Sequence, residues 1–167
     1  MRKVLSLAEA VAFAEYLRHG GRAIVFTNGV FDLLHPGHVR YLQDARREGD
    51  ALIVAVNSDR SVRAIKGPER PINPEQERAE VLAALACVDA VVIFDEDDPQ
   101  QVVHRLQPDV LVKGADWPSD AIVGRETVER RGGRIVRIPL ADGYSSSAII
   151  RKIRSADDDI SKSPGPS

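Results

Sequence analysis

Short unbroken apolar runs alternate with longer amphipathic stretches from residue 23 to residue 154, and this alternation limits the chain to very few architectures. Ala23-Ile24-Val25-Phe26-Thr27 is too short for a helix and too uniformly apolar for a half-exposed strand, so it reads as a strand covered on both faces. Similar strands are expected at residues 51–56, 90–94, 110–113 and 134–138, with helical patterns at 37–47, 74–86, 99–106, 122–131 and 146–154 and a polar loop up to Asn73. Strands separated by helices pair in parallel through right-handed crossovers. The expected fold is therefore α/β, a Rossmann-like three-layer sandwich around a five-stranded parallel sheet.

A further helix over residues 6–18 precedes the first strand, with Ser6 as N-cap, Glu9 at the capping-box position and Gly20-Gly21 as the stop. In the helix at 37–47, Val39, Leu42 and Ala45 share one face with Tyr41 adjoining, and Gly49 is expected to end it in a left-handed conformation. From Ser155 onward the only aliphatic residue larger than alanine is Ile160. The expected organisation is a domain over 1–154, its first 21 residues carrying the N-terminal helix, and a disordered tail over 155–167.

A chain of 167 residues, 43% hydrophobic and 29% charged, suits one soluble globular domain. Its 23 basic and 25 acidic side chains leave a formal charge of −2, which creates no field to hold a polyanion, so nucleic acid is not an expected partner. Cys87 is the single cysteine and forms no internal disulfide, and Glu9 and Glu15 interrupt the apolar N-terminal stretch. No run approaches the roughly 20 apolar residues of a membrane span. A cytoplasmic location without a membrane partner is expected.

In an open parallel sheet, ligands bind beyond the carboxyl ends of the strands, where strand order reverses. The loop after the first strand reads Thr27-Asn28-Gly29-Val30-Phe31-Asp32-Leu33-Leu34-His35-Pro36-Gly37-His38, and Pro36 suits a first helical turn. His35 and His38 thus sit at a helix N-terminus, where free amides and the helix dipole favour an anion and Gly37 allows close approach to the backbone. Neither a GxGxxG fingerprint after this strand nor a GxxxxGK[ST] loop is present, so the phosphate chemistry is of another kind.

His35-Pro36-Gly37-His38, behind Asn28, Gly29, Phe31 and Asp32, resembles the HxGH motif of the cytidylyltransferase-like nucleotidyltransferases. The resemblance continues through Ala55-Val56-Asn57-Ser58-Asp59, Lys66-Gly67, Arg70-Pro71-Ile72, Arg78, Lys113-Gly114-Ala115-Asp116-Trp117 and Ser145-Ser146-Ser147-Ala148-Ile149-Ile150, spanning roughly residues 22–154. It is closest to members that adenylylate D-glycero-β-D-manno-heptose 1-phosphate. It implies in-line attack of a sugar-phosphate oxygen on the α-phosphorus of ATP, release of pyrophosphate, and formation of an ADP-sugar. No covalent enzyme intermediate is implied.

The resemblance assigns His35 and His38 to the triphosphate and Lys66 to the sugar phosphate or the leaving group. Asn28, Gly29, Phe31, Gly37, Lys113, Gly114, Asp116, Ser145, Ser146 and Ser147 are the implied nucleotide contacts. Asp32, Asn57, Arg78 and Trp117 are the implied substrate contacts, with Asp32 alternatively orienting a histidine or meeting a metal. Mg²⁺ would be held mainly by ATP phosphates. ATP and a sugar 1-phosphate are the implied ligands, and a homodimer the implied assembly. The arginine that some relatives carry upstream of the serine run is absent here, where Pro139-Leu140-Ala141-Asp142 stands, and this favours an acceptor other than glycerol phosphate or choline phosphate.

Each residue also has a plainer reading. The two histidines could ligate metal or simply cap a helix. Lys66 and Arg70 in a Gly-Pro-rich loop would be solvated surface, and Arg78 within Glu75-Gln76-Glu77-Arg78 an exposed helical salt bridge. The serine run would be an N-cap, Trp117 a loop anchor and Cys87 core. Asp95-Glu96-Asp97-Asp98 reads as a solvated acidic bias before the next helix rather than a metal cluster. Cytidylyl transfer to glycerol or a polyol phosphate, and nucleotide binding without turnover, are the competing functional readings.

Overall fold

A computed structural model describes residues 2–140 and 143–162. Its centre is a parallel sheet of six strands: β1 (Val4–Leu5), β2 (Ile24–Gly29), β3 (Ala51–Asn57), β4 (Ala90–Phe94), β5 (Val110–Gly114) and β6 (Arg134–Ile138). Their spatial order is β1-β4-β3-β2-β5-β6. The expected class is present, but the sheet has six strands and not five. The extra strand is a two-residue piece whose register, Val4 opposite Val91 and Leu5 opposite Val92, arises from pairing with β4. Two residues carry no period of their own.

Seven helices are described: α1 (Leu7–His19), α2 (Pro36–Arg47), α3 (Asp59–Lys66), α4 (Glu75–Ala84), α5 (Gln100–Leu106), α6 (Arg125–Glu129) and α7 (Ser146–Lys162). Side chains alternate across the central strands. Ile24, Phe26, Ile53, Ala55 and Val92 join Ala10, Ala14, Leu17 of α1 and Val102, Leu106 of α5 in one core. Val25, Leu52, Val54, Val56 and Val91 join Tyr41, Leu42, Ala45 of α2 and Ala79, Leu82 of α4 in the other. All seven residues of β3 are buried, which is why the strands read as continuous apolar runs.

The N-terminal capping box forms as the spacing predicts. Ser6 accepts from the Glu9 amide, the Glu9 carboxylate accepts from the Ser6 amide, and Gly21 turns the chain out at φ 68°. Gly49 departs from expectation: it is not among the glycines at positive φ. Its role is close approach, since a Cβ there would stand 2.7 Å from Val25 Cγ2 and 3.0 Å from the Ala23 carbonyl oxygen.

The polar stretch after β3 contains α3, capped by Ser58 Oγ accepting from the Ser61 amide. Of this eight-residue helix only Ser61 and Val62 are buried, and its short amphipathic stretch lies inside what reads as a polar loop. Of the expected helix at 122–131 only the short α6 forms, preceded by a single 3₁₀ turn at Ser119–Ala121. The last helix continues to Lys162, past the expected end at Arg154, because no glycine or proline intervenes before Pro164. The remainder of the expected tail, 163–167, and Ala141-Asp142 lie outside the described residues. Among the described residues no helix is long and apolar enough to cross a membrane.

The strand order sets the site. β2 pairs with β3 on one side and β5 on the other; the chain leaves β2 toward β3 and leaves β5 toward β6, so the loops after β2 and β5 run to opposite sides and splay apart. A cleft opens above their carboxyl ends.

Candidate active site

That cleft is a cavity of about 590 Å³. Among its walls are Asn28, Gly29, Phe31 and Asp32 from the end of β2 and its loop, and His35, Gly37 and His38 from the start of α2. Asn57 and Lys66 border it beside β3 and α3, Lys113, Gly114, Asp116 and Trp117 beyond β5, and Ser145, Ser146 and Ser147 at the start of α7. Residues up to 119 positions apart in sequence, Asn28 to Ser147, thus meet in one place.

His35 is the N-cap of α2, and its Nδ1 accepts the His38 backbone N–H at 3.3 Å. With Nδ1 an acceptor, the neutral ring carries its proton on Nε2 and is a donor on the other edge. The two imidazoles stack with centroids 3.8 Å apart and planes 16° apart, and Phe31 meets His38 edge-on at 5.4 Å. Burial lowers the pKa of His35, and burial together with the neighbouring His35 drives His38 down to about 4. At neutral pH the pair is therefore uncharged, each ring holding a single N–H rather than a positive charge. Gly37 fits closely between them: a Cβ there would lie 3.1 Å from the His35 ring and 3.0 Å from Tyr144 Cβ.

The cationic groups lie elsewhere. Lys113 is buried at the end of β5, where its ammonium donates to Asn28 Oδ1 and sits 5.3 Å from the centroid of the Trp117 ring. Burial lowers its pKa to about 8 against the opposing pull of Asp116. Lys66 is exposed at the rim, and its ammonium makes no hydrogen bond or ion pair among the described residues. Trp117 is 48% exposed, so it is a cavity wall and not an anchored core ring. Gly114 faces Asp116 so closely that a Cβ would stand 2.3 Å from its Oδ1.

Asp32 neither orients a histidine nor offers a free carboxylate. Its side chain is fully buried and accepts from Arg70 Nε at 2.7 Å and from the amides of Ile72 and Asn73 at 2.9 and 3.0 Å. Burial raises its pKa, yet the Asn73 and Ile72 amides and the Arg70 guanidinium outweigh burial and leave it below the ordinary carboxylate value. Its work is to pin the 70–73 loop against the β2 loop. Asn57 is similarly occupied, donating to Ser61 Oγ at 3.0 Å, although it still borders the cavity.

Arg78 corrects both of its sequence readings: it is not an exposed helical pair, and it is not among the cavity-lining side chains. Its guanidinium is completely enclosed and donates to the carbonyls of Val30 and Asn73 at 2.7 and 2.9 Å and to Asp59 Oδ1 at 2.7 Å. One side chain thereby ties the β2 loop to the starts of α3 and α4.

The serine run takes up its capping reading and borders the cavity. Ser145 Oγ accepts from the Ala148 amide at 3.4 Å, a helix cap, and Ser146 Oγ donates to the Leu33 carbonyl at 2.8 Å, which binds α7 to the histidine loop. The acidic run behaves as helix-terminal charge. Asp98 Oδ1 accepts from the Gln100 amide at 2.8 Å, and Asp95 is held by Ser58 and Arg60. Asp97 and Asp98 nevertheless border the cavity, as do Tyr41, Arg70 and Tyr144, all absent from the sequence assignment. Tyr41 was visible only as a core residue; its hydroxyl shares a 2.8 Å hydrogen bond with Thr27, and burial pushes its pKa to about 12.

Residues 26–152 match the family model described as cytidylyltransferase-like. The chain is 55% identical over 139 residues, 83% of its length, to a bifunctional protein HldE of Syntrophotalea carbinolica, and 56% identical over 150 residues, 90% of its length, to that of Citrifermentans bemidjiense. It spans only 28% and 30% of those relatives. Among solved structures it is similar to a lipopolysaccharide core biosynthesis protein from Thermoplasma volcanium, at 33% identity and a TM-score of 0.63 over 73% of this chain and all of that one. A pantoate-β-alanine ligase from Francisella tularensis shares the fold at 15% identity, with a TM-score of 0.59 over 94% of this chain and 78% of that one.

Proposed function

The chain belongs to the cytidylyltransferase-like family, and from that membership we propose that it transfers AMP from ATP to D-glycero-β-D-manno-heptose 1-phosphate. A phosphate oxygen of the sugar attacks the α-phosphorus, the bond from that phosphorus to the β-phosphate oxygen breaks, and ADP-heptose and pyrophosphate leave. The observation that carries the proposal is the stacked pair His35 and His38 at the N-terminus of α2, inside a cleft at the switch point of the sheet. The relatives named HldE and the motif run from Asn28 to Ser147 support the acceptor class.

The attacking phosphate is already ionised, so the protein need not supply a strong base. Its task is to align two anions and to stabilise charge growing on the departing pyrophosphate. Neutral His35 and His38 suit this as N–H donors that add no positive charge to the ground state, supplemented by the amides of α2. Lys66 at the rim is assigned to the incoming or departing phosphate. Lys113, Gly114 and Asp116, with Trp117 above, are assigned to the nucleoside, and the serine run closes the phosphate side.

Among the described residues no three His, Cys, Asp or Glu side chains converge into a metal cage. Mg²⁺ would accordingly ride on the triphosphate oxygens and neutralise their charge, with the cleft orienting the loaded nucleotide. A homodimer belongs to the same proposal and is read by sedimentation.

The deciding experiment incubates the protein with ATP or CTP and a panel of sugar and polyol phosphates, measuring pyrophosphate and the nucleotide product. Equal amounts of pyrophosphate and ADP-heptose from ATP are expected. Preference for CTP with glycerol or a polyol phosphate would replace this assignment with cytidylyl transfer. Tight ATP binding without pyrophosphate from any acceptor would make the chain a binding module.

A further inference from the structure

Four rings and one cation form a continuous column across the mouth of the cleft. Phe31 abuts His38, His38 stacks on His35, and Tyr144 lies nearly parallel to His35 with centroids 5.9 Å apart and planes 20° apart. The Arg40 guanidinium lies 5.5 Å from the Tyr144 centroid. Tyr144 comes from the segment entering α7, whereas His35, His38 and Arg40 come from α2 and its cap. Apart from these ring and cation contacts, Tyr144 makes no hydrogen bond or ion pair among the described residues, so its hydroxyl contributes nothing to the column.

The neighbouring residues are built around this contact. Gly37 leaves the space that Tyr144 Cβ occupies, and Ser146 Oγ anchors the next turn to the Leu33 carbonyl two residues before His35. His35 itself is held by a single hydrogen bond at Nδ1, long at 3.3 Å, which by itself permits the ring to rock about χ2. Packing Tyr144 beside a ring already stacked on His38 restricts that freedom.

We propose that Tyr144, backed by Arg40, is a positioning residue that holds the His35 ring in its donor orientation. The role rests on the phosphate-donor reading of His35 given above, but it concerns ring orientation and is testable without any substrate. What the column needs is an aromatic face, so phenylalanine replaces tyrosine and alanine does not.

The test uses the full chain with uniform ¹⁵N labelling and compares Tyr144→Ala, Tyr144→Phe and the parent. Ligand-free imidazole spectra report the His35 tautomer and the ring-current shift of its carbon-bound protons. The parent and Tyr144→Phe are expected to share one Nε2–H tautomer with strongly displaced proton shifts. Tyr144→Ala is expected to lose the Tyr144 share of the displacement and, as the freed ring weakens the His38 amide bond to Nδ1, to admit the second tautomer, with thermal unfolding unchanged. Turnover of ATP with heptose 1-phosphate should fall about tenfold in Tyr144→Ala through kcat, as expected for a misaimed transition-state donor, and return to within about threefold of the parent in Tyr144→Phe. An unchanged His35 spectrum in Tyr144→Ala, or a loss in Tyr144→Phe equal to that in Tyr144→Ala, would overturn the proposal. Spectra as expected in a protein that turns over no nucleotide would sustain Tyr144 and reject the heptose reading.

Discussion

Replacing Arg78 by methionine keeps most of the aliphatic stem and removes a guanidinium that satisfies two carbonyls and one carboxylate inside the fold. Hydrogen bonds to charged groups are each worth about 1.5–3 kcal/mol, but the three here leave one guanidinium and do not add. Removing one member of a buried ion pair typically costs about 3–5 kcal/mol. The Asp59 side chain is 25% exposed and can regain water, which puts the expected loss at the lower end, about 3 kcal/mol. For a domain of this size about 1 kcal/mol moves Tm by roughly 2–4 °C, so Arg78→Met should unfold about 6–12 °C below the parent. Thermal and urea unfolding followed by circular dichroism measure this directly. The same variant should raise KM for ATP, because the Val30 carbonyl that Arg78 holds lies in the loop between Asn28 and Asp32. An exposed helical salt bridge would contribute about 0.3–0.5 kcal/mol, so a Tm change under about 2 °C would refute the buried-clasp account.

His38→Ala should lower kcat by about a hundredfold with the fold intact, the usual consequence of losing a transition-state donor; near-parental turnover in a folded variant would exclude the role. The pH profile of kcat/KM for ATP reports groups of the free enzyme, and Lys113, with its pKa near 8, is a cation below that pH and neutral above it. Nucleotide capture should therefore decline as pH rises through about 8, and Lys113→Met should remove that limb. His38 titrates near 4 when folded and at the higher ordinary imidazole value when unfolded. Between these the unfolded chain binds more protons, so stability should fall as pH drops from about 6.5 toward 4, and His38→Gln should flatten that slope in acid-unfolding curves. Deleting residues 157–167 should leave turnover within about twofold, since residues 151–156 of α7 before the cut are already exposed; a larger loss in the truncated chain would show that this end docks.

The amino-acid sequence determined whatever is written within a few turns of chain. The β2 to β6 runs, the Ser6–Glu9 capping box and the placing of His35 and His38 at a helix start all follow from local period and backbone chemistry. Those properties act over neighbours, so any window of sequence contains the whole cause. Tertiary structure decided the rest. It made a strand of Val4–Leu5 by offering the edge of β4, and set Lys113 on Asn28 by laying β5 beside β2. It enclosed Arg78, consumed the Asp32 carboxylate in a loop clasp and brought Tyr144 onto His35. In each case the energy lies in pairs tens of residues apart, where burial and partner choice depend on how separate elements meet, and no local pattern records that meeting.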